Sequence, residues 1–289
     1  MTDSLELLLR ELKLPAFLAH AQTVAIEAER AAWSFTRYLY TLAELELEER
    51  RQRRIQRRRQ EAGLPASKTL ATLQVACLPT PIRRQLPTLC EGHFVEQAQN
   101  ILAFGLPGRG KTHVLCAVGH ALVERGYRVL FIPAYQLIQR LLAAKQALRL
   151  EKELHKLDSF AAIIVDDIGY LQHSRAEMEV LFTFLAERYE RKSVLISSNL
   201  VFSQWDRIFQ DPMTTAAAID RLVHHAIILE MTGPSFRTEQ AKERQHHSPL
   251  MERDTQTASD MHKESETPSS HLAIETVTEV GGHADDVNK

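Results

Sequence analysis

Apolar residues recur along this chain with two different periods, and the change of period divides it. Leu5, Leu8, Leu9 and Leu12 stand at i, i+3, i+4 and i+7, which predicts a short amphipathic helix with one apolar stripe. Pro15 interrupts that pattern. A longer helical stretch begins before Trp33, runs through Leu39, Leu42 and Leu45 into an arginine block, and ends at the punctuation Gly63-Leu64-Pro65. Residues 1–89 therefore read as a small helical N-terminal domain.

From about Asn100 short apolar runs alternate with helical patterns. Ile101 to Phe104 reads as a buried strand ending at Gly105, followed by a helix from Lys111 that Gly126 closes. Val129 to Ile132 is the next strand, then a leucine-rich helix from Tyr135 to about Leu150. Ala161 to Val165 is a third strand. Ser174 with Glu177 forms a capping-box start for a helix reaching about Arg191. Val194 to Ser197 is a fourth strand, Thr214 to His225 a helix, and Ala226 to Glu230 a fifth strand. Such alternation implies an α/β fold, residues 90–239, whose parallel sheet is covered by helices on both faces. Residues 240–289 hold few large apolar side chains and read as a flexible acidic tail.

The 289 residues, 44% hydrophobic and 25% charged, leave room for one full α/β domain and a smaller appendage. The longest purely apolar run, Phe160 to Val165, is far below the roughly 20 residues of a bilayer span, so no membrane association is expected. The acidic start MTDSLELLLRELKLP does not resemble an export signal. Three cysteines without a C-x-x-C pair fit a reducing cytoplasm and no metal knuckle. The scattered histidines of the tail lack ligand spacing.

The net charge of −2 conceals an uneven distribution: the tail carries −5 and the remainder +3. Arg50, Arg51, Arg53, Arg54, Arg57, Arg58 and Arg59 fall within ten positions free of acid. One reading is a solvated helix face whose charges pair with Glu44, Glu46, Glu48 and Glu49. The other is a contact with nucleic acid, preferred because four upstream glutamates cannot neutralise seven arginines, and phosphates can.

Gly105-Leu106-Pro107-Gly108-Arg109-Gly110-Lys111-Thr112 satisfies G-x-x-x-x-G-K-[ST] at every fixed position, between a strand and a helix. Glycines let successive backbone N–H groups face a phosphate, and the helix N-terminus adds its positive dipole end. Lys111 is expected on the β- and γ-phosphates and Thr112 on Mg²⁺; Arg109 is expected to face solvent. The apolar run Ala162 to Val165 delivers Asp166 and Asp167 to the sheet's C-terminal edge. Asp166 would hold the Mg²⁺ shell and Asp167 orient or deprotonate water, on a strand expected to lie adjacent to the loop. Asn199 ends another apolar strand, where it either bonds the γ-phosphate region or only turns the chain.

The segments GLPGRGKTH, IIVDDIGY, FLAERYERKSVLISSNLVFSQW, AAAIDRLVHHA and GPSFR occur in the order seen in IstB-type ATP-binding proteins. These are helper ATPases of insertion sequences, related to DnaC-type helicase loaders among the AAA+ P-loop NTPases. The resemblance covers roughly residues 1–240. It implies ATP and Mg²⁺ as cofactors, Asn199 as a sensor of the γ-phosphate and Arg221 as a finger reaching a neighbouring subunit. It also implies Arg237 as a second sensor arginine. Arg109 stands where the family usually has a small residue. Without the resemblance Arg221 reads equally as a surface arginine paired with an acid.

The leading expectation is an ATPase acting in a homo-oligomer on double-stranded DNA to assist a cognate transposase. A helicase loader is the alternative within the same engine. A P-loop kinase for a small metabolite, or a scaffold that binds nucleotide without hydrolysis, represents other classes; a phosphorylated small product would mark the kinase.

Overall fold

The computed structural model describes residues 2–169, 174–200, 204–205, 212–233 and 235; the side chains of 2, 3 and 212–215 are not described. All of these belong to one compact unit, Met1–His247. Three helices lead: α1 (Thr2–Glu11), α2 (Pro15–Arg30) and α3 (Phe35–Ala62). A 3₁₀ turn (Val75–Cys77), α4 (Thr80–Glu91) and α5 (His93–Glu96) bring the chain to the sheet. There follow β1 (Asn100–Phe104), α6 (Lys111–Glu124), β2 (Val129–Pro133), α7 (Ala134–Gln146), α8 (Leu150–Asp158) and β3 (Ala162–Asp166). The order closes with α9 (Arg175–Arg188), β4 (Ser193–Ser198), α10 (Pro212–Val223) and β5 (Ala226–Glu230). Among the described residues no helix is long and apolar enough to cross a membrane.

The five strands are parallel, in the order β2-β3-β4-β1-β5. Alternation along each strand sends its apolar residues to two separate cores. Ile101, Ala103, Ile164 and Leu195 pack under α4 and α6 on one face. Leu102, Phe104, Ile163, Val165 and Ile196 pack under α7, α8, α9 and α10 on the other. The strands and flanking helices thus follow the α/β reading. One spatial expectation fails: β3 is not adjacent to β1. β4 lies between them, so the acids of β3 face the phosphate loop across the end of another strand.

Three local expectations also change. Of the leucine stripe only Leu9 is buried, because α1 meets α2 through that residue while Leu5, Leu8 and Leu12 face outward. The long helix does not begin before Trp33. Pro15 starts α2, as its fixed φ favours at a first helical position, and the chain breaks at Ala32 (φ +48) before Ser34 caps α3. The leucine-rich helix stops at Gln146; Leu148 takes φ +55 and α8 forms separately. The Ser174–Glu177 capping box is present.

Two buried ionic groups tie elements together. Arg188 donates to the carbonyls of Leu157, Phe160 and Ser193, fastening the end of α8 and the start of β4 to α9. Its burial pushes the guanidinium down to about 10. Glu46 of α3 accepts the Ala16 amide at 2.8 Å and Arg50 Nε at 2.7 Å. Burial opposes its ionisation, yet the Arg50 and Ala16 bonds, with Arg53 nearby, hold its carboxyl below the usual range. A carboxyl lowered on folding contributes stability above its unfolded value, about 4.3, that is lost as pH falls through the folded one. Acidification through that window is expected to loosen the α2–α3 junction, and Glu46→Gln to flatten the response. Trp33 fluorescence followed against pH in both proteins checks this; identical acid transitions would refute it.

Candidate functional site

Three positive-φ glycines shape the loop after β1: Gly105 at +147°, Gly108 at +80° and Gly110 at +84°. A Cβ on Gly105 would sit 2.4 Å from the Met231 carbonyl oxygen, so the loop can hug the end of β5 only with glycine there. Gly110 then opens α6, whose first residues are Lys111 and Thr112. Leu106 and Pro107 form the exposed crest. Contrary to the expectation of a solvent-facing side chain, Arg109 is half-buried. It donates from Nη1 to the Met231 carbonyl at 3.2 Å, because that oxygen ends β5 directly beside the loop.

Lys111 is buried at the base of the loop, its Nζ 2.7 Å from the Gly105 carbonyl and 3.1 Å from that of Leu106. The same ammonium meets Oδ1 of Asn199, at the end of β4. Asn199 in turn donates through Nδ2 to Asp167 Oδ1 at 2.8 Å. The chain Lys111–Asn199–Asp167 therefore crosses three strand ends. A second link runs beside it: Thr112 Oγ1 donates to Asp166 Oδ1 at 2.7 Å, and Ser197 Oγ donates to the same oxygen at 2.6 Å. The Asp167 amide donates to Ser197 Oγ at 2.8 Å, and Asp167 itself sits at φ +64. That left-handed residue directs its carboxylate into the cleft instead of continuing β3.

Asp167, Ser197 and Asn199 line a cavity of about 350 Å³ together with residues 107–113. The opposite wall was not legible in the sequence. Lys68, Thr72, Leu73 and Gln74, from the segment between α3 and α4, lie across it. His113 Nε2 lies 3.1 Å from the Thr69 carbonyl, and His120 Nε2 3.1 Å from that of Pro65, so α6 straps the segment down. Burial lowers the His113 imidazole below its ordinary value, against the opposing bond to the Thr69 carbonyl, and nearby Lys68 adds to the lowering. Ser197 also went unassigned, since a serine in an apolar strand carries no periodic signal.

Thr112 and Asp166 offer oxygen donors converging within one hydrogen bond, a donor set suited to magnesium. Arg221 lies elsewhere. Half-buried on α10, it stacks 4.7 Å over the Phe182 ring of α9 and donates to the Ala217 carbonyl, and it does not line the cleft. Arg237 falls outside the described residues.

The arginines of α3 separate into two sets. Arg50 pairs with Glu46 and donates to the Lys13 carbonyl, Arg51 lies near Glu48, and Arg53 pairs with Glu49. Arg59 reaches Glu124 of α6, an acid beyond the four upstream glutamates. Arg58 is half-buried against the turn at Gly126, where burial and the charges of Arg54 and Arg128 lower its guanidinium. Arg54 and Arg57 are exposed and have no ion pair among the described residues.

A five-stranded parallel sheet with this loop and paired acids defines a P-loop nucleotide-binding fold. The replication initiator DnaA, solved with AMPPCP and single-stranded DNA, shares the fold at TM-score 0.51 and 20% identity. The alignment covers 66% of this chain and 58% of that one. The family model for IstB-like ATP binding proteins matches residues 7–244. An insertion sequence ATP-binding protein of Sinorhizobium fredii is 42% identical over 244 residues, 84% of this chain and 82% of its own. The insertion sequence IS21 ATP-binding protein of Pseudomonas aeruginosa is 35% identical, over 82% and 90%. The chain belongs to the IstB-like ATP binding protein family.

Replacing Ser197 by alanine removes a donor to Asp166 and the acceptor of the Asp167 amide. A loss of about 1–3 kcal/mol is expected, read as a lowered urea midpoint with unchanged slope. An unchanged midpoint would show that the strand ends are held by other contacts.

Proposed function

We propose that this protein is an ATP-hydrolysing helper of insertion-sequence transposition that assembles with its own copies on double-stranded DNA to assist a transposase. The observation that carries the reading is the hydrogen-bonded chain Lys111–Asn199–Asp167 beside the pair Thr112–Asp166. The names of its relatives, insertion sequence ATP-binding proteins, supply the biological setting.

The parts take distinct roles. Backbone N–H groups of 105–112 and the start of α6 bind the β-phosphate, with Lys111 the point charge on the β- and γ-oxygens. Thr112 and Asp166 hold magnesium, which when bound offsets charge on the phosphate oxygens. Asp167, oriented by Asn199, positions the attacking water and takes its proton. Asn199 touches both Lys111 and Asp167, which suits it to register the terminal phosphate. The position of Arg221 outside its own cleft supports a role in trans on a neighbour's nucleotide.

ATP hydrolysis per subunit is then expected to rise with protein concentration and with added duplex DNA. Lys111→Ala should abolish nucleotide binding, and Asp167→Asn should retain binding while losing turnover. Arg221→Ala should lower turnover about 10³-fold and remove the concentration dependence. Phosphate release measured across a dilution series checks this, and a rate per subunit indifferent to dilution and DNA overturns the assembly reading.

The ion-pair pattern on α3 supports Arg54 and Arg57 as the direct DNA contacts of the arginine block, with Arg50 serving the helix junction. Replacing both Arg54 and Arg57 by alanine should weaken duplex binding irrespective of sequence. It should also flatten the plot of log affinity against log salt by about 2 per protomer. Fluorescence anisotropy over a salt series reads the slope; an unaltered slope places the DNA elsewhere.

A further inference from the structure

Outside the cleft, one cluster among the described residues brings metal-ligating chemistry together: Glu190 with His224 and His225. Glu190 belongs to the turn from α9 to β4, and the histidines to the turn from α10 to β5. The sequence separates them by more than thirty positions; the topology reunites them. β4 and β5 lie on either side of β1, so the turns that begin them meet at the sheet edge remote from the phosphate loop.

Asn100, the buried first residue of β1, fixes both turns. Its Oδ1 accepts the Val194 amide at 2.9 Å, its Nδ2 donates to the Leu222 carbonyl at 3.1 Å, and its own amide donates to the His225 carbonyl at 3.0 Å. The backbone that carries the three side chains is therefore set by a polar bridge that needs no ion. Glu190 itself takes φ +56, which turns the chain sharply between α9 and β4.

Glu190 Oε1 lies 3.8 Å from His224 Nδ1 and 3.8 Å from His225 Nε2, and the three ligand atoms lie within 4.8 Å of one another. Those separations exceed a hydrogen bond, so the oxygen stands between the two nitrogens and is bonded to neither. Zinc bonds of about 2.0–2.2 Å put tetrahedral donors roughly 3.3 Å apart, within reach of small rotations by three exposed side chains. The Tyr189 hydroxyl hydrogen-bonds His224 Nδ1 at 2.8 Å, and an ion taking that nitrogen displaces this bond. Two imidazoles with one carboxylate select borderline transition ions over magnesium or calcium, which prefer all-oxygen sites.

We propose that Glu190, His224 and His225 form a surface site for a divalent transition cation of the zinc class, with water completing the coordination. An ion there joins the α9–β4 turn to the end of α10, three residues beyond Arg221. It thereby braces the helix that carries that arginine. The site shares no residue with the cleft and does not depend on the nucleotide chemistry.

The test uses untagged full-length protein titrated with Co²⁺ and then Zn²⁺. Saturable visible d–d absorption that Zn²⁺ displaces is expected, together with a raised melting temperature. His225→Ala and Glu190→Gln should each weaken Zn²⁺ binding about tenfold or more by calorimetry, with unchanged far-UV circular dichroism. Replacing both His246 and His247 by alanine should leave this binding intact. Absence of saturable binding, or equal Zn²⁺ affinity in wild type and in both ligand variants, overturns the proposal.

Discussion

The site depends on a polar strand end placed between two charged ones. β4 separates β1 from β3, so the phosphate loop and the paired aspartates never touch through strand pairing. Ser197 and Asn199 supply the missing contact. Ser197 holds Asp166 through its side chain and Asp167 through that residue's backbone, while Asn199 spans from Lys111 to Asp167. Without these two side chains the direct bond from Thr112 to Asp166 would remain, but nothing would join the Lys111 ammonium to Asp167 through Asn199. Preorganised dipoles of this kind are what make charge stabilisation effective, since nothing must reorient when charge develops.

Charge density on a helix is a poor measure of what that helix offers to a partner. The seven arginines between Arg50 and Arg59 contribute to at least two tasks. Arg50 completes the satisfaction of buried Glu46, and Arg59 and Arg58 fasten α3 to α6 and its following turn. Each such pairing neutralises a charge that would otherwise repel its neighbours, which is how the block is tolerated on one helix. The pairing with Glu124 illustrates the limit of a local count: the acid lies 65 residues downstream and becomes a partner only through packing.

Much of the engine was legible because its signals are local. The phosphate loop requires glycine at positive φ, the strands are apolar runs, and the capping box repeats a fixed spacing; the loop and the capping box stand where expected, and the strands differ from expectation by at most one residue at either end. The misreadings share a cause in non-local geometry. Nothing in the apolar run of β3 says which strand lies beside it. The leucine stripe on α1 states that one face is apolar, and only the packing of α2 decides that Leu9 alone is covered. Leu148 at φ +55 carries no glycine or proline to announce the break between α7 and α8. Nothing local announces the contact of Arg109, because its acceptor, the Met231 carbonyl, follows β5 122 residues away.

The strap between α3 and α4 shows the same principle at the site itself. Its sequence mixes small, apolar and polar residues between two prolines, with no sustained helix or strand period, and reads as a spacer between helices. In the fold it is an inner wall: Ala62 enters the core beneath the sheet, Gly63 turns at φ +63, and residues 68–74 then lie across the nucleotide cleft. Two histidines of α6 anchor it, one of them on the first turn after Lys111. The arginine helix and the cleft are therefore joined by about ten residues of backbone held at both ends. The strap is fastened by side chains of the helix that follows the phosphate loop, His113 meeting both the Thr69 carbonyl and the Thr72 hydroxyl. The strap thus joins the arginine helix to the cleft wall, beside the direct Arg59–Glu124 link from α3 to α6.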